Sequence, residues 1–75
     1  MNIADILIHV HPELSVEQRT KIEEDVSNQN GVVSVHFSPE HQHELTIAYD
    51  PQSITSEAIL NLVRQYDPDA VMIGL

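Results

Sequence analysis

The chain has 75 residues, enough for one domain with a thin hydrophobic core. Its formal net charge is −9, from twelve acidic and three basic residues. Binding to nucleic acids or to anionic membranes depends on Lys and Arg, so this balance argues against both kinds of partner. The sequence contains no cysteine, which excludes disulfides, thiolate metal sites and a cysteine nucleophile. The lack of thiols suits a reducing compartment, and no signal peptide is recognised at the N-terminus, so we expect a cytoplasmic protein.

The first third of the chain predicts a strand followed by a helix. Apolar and polar residues alternate from 3 to 11, which is typical of a half-buried strand, and Pro12 ends this pattern. Ser15 is a candidate N-cap for the helix, because Gln18 stands three residues further on, at the spacing of a capping box. The helix is expected to end near Asn28–Gly31, which contains residue types that tolerate a left-handed turn.

Two more alternating segments predict a β-hairpin. Apolar residues occupy every second position from 33 to 37 and again from 45 to 49. The polar segment 38–43 (SPEHQH) joins the two strands closely enough for antiparallel pairing.

A second helix and a final strand complete the pattern. Asp50-Pro51 ends the third strand, and Thr55 is a candidate N-cap for a helix with apolar residues at helical spacing. The segment 67–69 (DPD) ends that helix. The last strand is predicted to direct one apolar set toward the core, Val71, Ile73 and Leu75.

These elements predict one α+β domain over residues 1–75, a ferredoxin-like β-α-β-β-α-β sandwich. The apolar stripe of each helix and the apolar face of each strand are buried together when both helices pack on one face of a four-stranded sheet. Right-handed crossovers then give an antiparallel sheet with strand order 4-1-3-2. The predicted core comprises Ile6, Ile8, Val10, Ile22, Val26, Val33, Val35, Phe37, Leu45, Ile47, Tyr49, Ile59, Leu62, Val63, Val71 and Ile73.

Four short segments together resemble a known family. Ile22-Glu23 lies in the first helix, and Gly31-Val32-x-x-Val35 enters the second strand. Tyr49-Asp50-Pro51 leaves the third strand, and Thr55-x-Glu57-x-Ile59 starts the second helix. In order and spacing they resemble the heavy-metal-associated domain, the module of copper chaperones and metal-pumping ATPases. The resemblance covers nearly the whole chain and implies the same fold and a small binding module.

The metal-binding motif of that family is absent from this sequence. The family binds soft metal ions through two cysteines, spaced C-x-x-C, between the first strand and the first helix. When the chain is aligned on Ile22-Glu23, those positions are Ser15 and Gln18, which supply no thiolate. Cuprous ion strongly prefers sulfur ligands. The resemblance therefore does not extend to the transfer of copper(I).

Five histidines are the unusual feature of the composition. His9 and His11 form a His-x-His pair at the end of the first strand, and His41 and His43 form another in the hairpin. The predicted topology brings both pairs to the same end of the sheet, and imidazole suits Zn, Ni and Cu(II). We therefore predict a divalent metal site, and no organic cofactor. Its candidate ligands are His9, His11, His41 and His43, with Glu13, Glu40 or Glu44 available to complete it.

Other interpretations of the same residues stay open. Surface histidines also occur without any ligand, and histidine titrates near neutrality, so a pH response needs no metal. A metal-free protein-interaction or self-association domain is the main alternative. In that case a weak homodimer is expected through the open sheet face, which is predicted to carry Leu7, Ala48, Met72 and Gly74.

Catalysis is not expected. Acylphosphatases share this fold type and depend on an arginine in a phosphate-cradling loop. The corresponding loop here, HPELS after the first strand, has Pro and Glu where that loop needs Gly and Arg. We therefore expect a binding module and not an enzyme, with a metal ion or another protein as its partner.

Overall fold

The computed structural model describes residues 2–73 and contains all six expected elements. The strands form one antiparallel sheet in the order β2-β3-β1-β4, which is the predicted order read from the other edge. This strand order, with the two helices, confirms the ferredoxin-like arrangement. Among residues 2–73, neither helix is long and apolar enough to cross a membrane. Its elements are β1 (Ala4–His9), α1 (Val16–Ser27), β2 (Val32–Phe37), β3 (Glu44–Tyr49), α2 (Ser56–Arg64) and β4 (Val71–Met72).

Both helices begin at the caps that the sequence indicates. Ser15 Oγ accepts a hydrogen bond from the Gln18 backbone N–H at 3.1 Å, and Gln18 Oε1 accepts one from the Ser15 N–H at 2.9 Å. Thr55 Oγ1 accepts from the Ala58 N–H at 3.1 Å. These bonds satisfy backbone N–H groups at the start of each helix, which have no carbonyl partner within the helix.

Gly31 makes the turn between α1 and β2 possible. Its φ of 99° lies in the left-handed region, where residues with a Cβ are strained. A Cβ added to Gly31 would lie 2.6 Å from the Cβ of Ser53. The Gly31 carbonyl also accepts a hydrogen bond from the Asp50 N–H at 2.7 Å, so this turn packs directly against the segment that follows β3.

One buried cluster joins both helices to one face of the sheet. Most of the predicted core residues belong to it, and Val35, Phe37 and Leu62 pack against it half-buried. Leu60 and Ala70 are buried although they were not predicted to be. The members of the cluster are Ile6, Ile8, Val10, Ile22, Val26, Leu45, Ile47, Tyr49, Ile59, Leu60, Val63 and Ala70.

The prediction that Val33 is a core residue is wrong, since its exposed fraction is 59%. Val32 is the register partner of Tyr49 and Ser34 is the partner of Ala48, so Val33 is an extra residue in β2. Such a bulge shifts the alternation of side chains by one position. Val32 therefore packs against the core in place of Val33.

The predicted orientation of β4 is also wrong. Met72 is the register partner of the buried Ile8, while Val71 pairs with His9 on the opposite face. The exposed fractions of Val71 and Ile73 are 46% and 54%, and Met72 packs against the core. The predictions for Gly74 and Leu75 concern positions outside the described residues.

The side of the sheet away from the helices is called the open face here. Its members follow from the strand register and alternate with the core residues. Ile73 continues this face beyond β4, because its N–H donates to the Leu7 carbonyl at 2.8 Å. The open face consists of Asp5, Leu7, His9, Ser34, His36, Glu44, Thr46, Ala48, Val71 and Ile73.

Candidate metal centre

Three potential metal ligands converge at the end of the sheet where β1 and β3 pair. His9 is the last residue of β1, Glu44 is the first residue of β3, and the two are register partners. His43 directly precedes β3. One ligand atom from each of the three residues lies within 4.8 Å of the other two. Ligand atoms around a tetrahedral zinc ion are about 3.4 Å apart, given bonds of about 2.0–2.1 Å. The His9–Glu44 separation of 3.3 Å already matches this spacing.

The closest contact within the group joins His9 to Glu44. His9 Nε2 lies 3.3 Å from Glu44 Oε2, and the side chains are 35% and 28% exposed. The rings of His9 and His43 meet edge to face, with their centroids 5.2 Å apart. All three residues are half-buried, so their side chains are in contact both with the protein and with solvent.

Backbone hydrogen bonds fix the segment that carries these side chains. The Val10 N–H donates to the His43 carbonyl at 2.8 Å, which continues the pairing of β1 with the hairpin beyond His9. The Ser38 N–H donates to the Glu44 carbonyl at 2.9 Å, and the Glu44 N–H donates to the His41 carbonyl at 2.9 Å. The β2–β3 turn is thus closed on itself and tied to β1 next to the candidate site.

The other two predicted ligands lie outside this group. His41 is exposed, and its ring centroid is 6.0 Å from that of His43. His11 is exposed and lies beyond the end of β1, where its Nδ1 accepts a hydrogen bond from the Glu13 N–H at 3.1 Å. Its backbone N–H donates to Asp67 Oδ2 at 2.7 Å.

Glu44 is the candidate ligand that the sequence pattern did not single out from Glu13 and Glu40. The signal that identifies it is pairing register, because Glu44 begins the strand that lies beside β1 and is directly opposite His9. Register depends on how many residues the hairpin turn contains and on where pairing starts, and polarity alone specifies neither for the segment 38–43.

Comparisons with known proteins find similarity in structure and not in sequence. No family model matches the chain, and no curated protein matches it significantly in sequence. The crystal structure of oxidized MerP from Ralstonia metallidurans CH34 is 10% identical, with a TM-score of 0.76 and 97% of each chain covered. The CopZ metallochaperone is 13% identical, with a TM-score of 0.74, and the match covers 93% of this chain and 100% of CopZ.

A third similar structure is a copper binding domain from HMA7, a P-type ATPase. It is 18% identical, with a TM-score of 0.74, and the match covers 95% of this chain and 92% of that domain. At these identities the likeness establishes the fold. The resemblance to the heavy-metal-associated domain is therefore confirmed in the fold, in a chain that has no cysteine with which to form the C-x-x-C motif.

Proposed function

We propose that this chain is a small binding module for a divalent transition metal, held by His9, His43 and Glu44. The observation that carries the proposal is the convergence of one ligand atom from each residue within 4.8 Å. Two imidazoles and a carboxylate are a known donor set for zinc, and they also suit Ni(II) and Cu(II). The copper binding described for a structurally similar domain supports a metal-binding role for this fold.

The donor set favours divalent ions over the cuprous ion. Cuprous ion is bound best by thiolate and thioether sulfur, and the three converging residues offer only nitrogen and oxygen. The formal net charge of −9 adds a long-range attraction for cations. We therefore expect Zn(II), Ni(II) or Cu(II) to bind more tightly than Cu(I).

His41 is the proposed fourth ligand. Its ring lies 6.0 Å from the His43 ring, and its side chain is exposed, so it can change rotamer without disturbing the core. His11 is the less suitable of the two predicted ligands that lie outside the converging group. Its Nδ1 already accepts a hydrogen bond, and its backbone is fixed to Asp67.

Metal titration monitored by NMR tests this proposal. The expected result for Zn(II) is an equimolar end point, at which the resonances of His9, His43 and Glu44 shift together. His9→Ala is expected to abolish this end point. His36→Ala is the matched control, because His36 is exposed on the open face but lies outside the converging group. Weak shifts scattered over all five histidines, without an end point, would contradict a specific site.

An interaction module that needs no metal is the second candidate function. One observation favours it, namely the exposure of the large apolar side chains Val71 and Ile73 at one edge of the open face. NMR spectra of the metal-free protein distinguish the two functions. Concentration-dependent shifts on the open face favour the interaction module, and their absence together with a metal end point favours the metal module alone.

Catalysis is no part of the proposed function. Two of the similar structures are described as a metallochaperone and a copper binding domain, which are binding roles. A cytoplasmic location is proposed as well, since the lack of cysteine suits a reducing compartment, although it is compatible with others. Cell fractionation that found the protein in another compartment would overturn that assignment.

A further inference from the structure

We propose that the open face binds a second copy of this chain, sheet against sheet, with the helices of both copies pointing outward. The dimer needs no metal, although His9 and Glu44 belong both to the open face and to the candidate metal centre. This inference names a partner for the second candidate function. Its starting point is the corrected orientation of β4, which places Val71 beside His9 and Ile73 beside Leu7 on the open face.

Charge is distributed unevenly between the open face and the rest of the molecule. Only Asp5 and Glu44 of the twelve acidic residues belong to the open face, and none of the three basic residues does. The other ten acidic residues lie on the helices and in the loops. Asp5 and Glu44 share the face with two histidines, His9 and His36. The face is therefore the part of a strongly acidic molecule on which a second acidic molecule meets the least repulsion.

Stacking through the open faces also keeps the acidic residues of the helices apart. Sheets pack about 10 Å from each other, and each helix layer lies on the far side of its own sheet. The Debye length is about 8 Å at physiological ionic strength, so the helix charges of the two copies are separated by at least about two Debye lengths. A contact through the helices would instead bring those acidic residues together.

The pattern on the open face is complementary to itself. Register pairs Glu44 with His9 and Thr46 with Leu7 on neighbouring strands. A two-fold axis that runs along the strands between β1 and β3 places Glu44 of each copy opposite the partner's His9. The same axis places Thr46 of each copy opposite the partner's Leu7. Two-fold contacts of this kind, in which both copies use the same surface, are the commonest in homo-oligomers.

The small area of the open face limits the affinity of the dimer. Four strands about 4.8 Å apart, with paired segments of up to about 20 Å, give a footprint of about 400 Å² per copy. The two copies together would bury about 800 Å², less than the about 1,200 Å² of a standard specific interface, so the dimer is weak and depends on concentration.

The salt dependence of binding distinguishes a second copy from a partner of another kind. Each copy carries a formal charge of −9, so screening by salt is expected to strengthen self-association. A basic protein partner would attract this chain electrostatically, and its binding would weaken as salt is added.

Analytical ultracentrifugation of the full chain in excess EDTA tests the proposal, since EDTA removes any metal contribution. The expected result is a monomer–dimer equilibrium that shifts toward dimer when NaCl is raised from about 50 to about 500 mM. The NMR shifts that accompany dilution are expected at Leu7, Thr46 and Val71. A strict monomer at millimolar concentration, or shifts confined to the helices, would overturn the proposal.

A pair of charge-matched variants locates the interface. Thr46→Lys places a charge at the centre of the open face and is expected to weaken the dimer at least tenfold. Thr20→Lys makes the same change in net charge on the exposed side of α1 and is expected to leave the dimer intact or strengthen it. Thermal unfolding of both variants verifies that they fold. Equal dimerisation of the two variants would contradict an interface on the open face, whatever the outcome of the metal titration.

Discussion

His9 Nε2 lies 3.3 Å from Glu44 Oε2 across the β1–β3 pair, and the two residues are directly opposite each other in the register. The candidate metal centre is therefore built on the sheet itself. The strand ladder fixes the backbones of both residues, and only His43 is contributed by the turn. In this chain the loop before α1, where the C-x-x-C motif of the heavy-metal-associated family would stand, has a capping box that engages both Ser15 and Gln18.

Removing the charge of Glu44 is expected to weaken metal binding. In the Glu44→Gln variant the carboxylate that faces His9 becomes a neutral amide of the same shape, which is a poorer ligand for zinc. We expect the Zn(II) affinity to fall at least tenfold in isothermal titration calorimetry. Glu40→Gln is the control, since it makes the same change in the adjacent β2–β3 turn, outside the converging group. An equal loss in both variants would point to overall charge and not to coordination.

Metal binding is expected to weaken as the solution becomes acidic. The ion binds only the deprotonated form of an imidazole nitrogen, so protons compete with it at a histidine site and the apparent Zn(II) affinity falls as the pH is lowered. Competition titrations at a series of pH values measure the effect. An affinity that did not change with pH would exclude histidine ligation.

Asp67, in the turn between α2 and β4, is expected to stabilise the segment that follows β1. It is the buried charged residue among residues 2–73, and its two oxygens accept hydrogen bonds from the His11 N–H at 2.7 Å and the Asp69 N–H at 3.1 Å. Asp67→Ala leaves both donors without this acceptor, at a cost of about 1–3 kcal/mol in the free energy of unfolding. Urea denaturation measures the loss, and Asp69→Ala, at an exposed position in the same turn, is expected to change stability much less.

Gly31→Ala is expected to destabilise the fold by more than about 1 kcal/mol, because an added Cβ is strained at this φ and also meets Ser53. The double variant Gly31→Ala with Ser53→Gly removes the contact with Ser53 but retains the backbone strain and the 3.1 Å approach to Ile54 Cγ2. Its stability in thermal unfolding should therefore lie between those of the wild type and the single variant, after correction for Ser53→Gly alone. Full recovery would show that the strained φ contributes nothing.

The sequence alone determined the elements and their order, because those depend on interactions between near neighbours. The capping box of Ser15 and Gln18 and the left-handed turn at Gly31 each act within a few residues. Alternation with period two marked the strands, and the small number of arrangements that bury one face of each element specified the topology. The fold was predictable for these reasons.

Tertiary structure decided the features that depend on strand register. In β2 the extra residue Val33 puts Val32 on the core side of the sheet. In β4 the pairing of Met72 with Ile8 puts Met72 on the core side and Val71 on the open face. A short strand with apolar residues on both sides gives no periodic signal that would predict which side is buried. The same holds for the candidate site. Sequence indicated histidines at one end of the sheet, whereas the register joined His9 to Glu44 and the turn brought His43 to them, because side chains distant in sequence meet only where the backbone pairs.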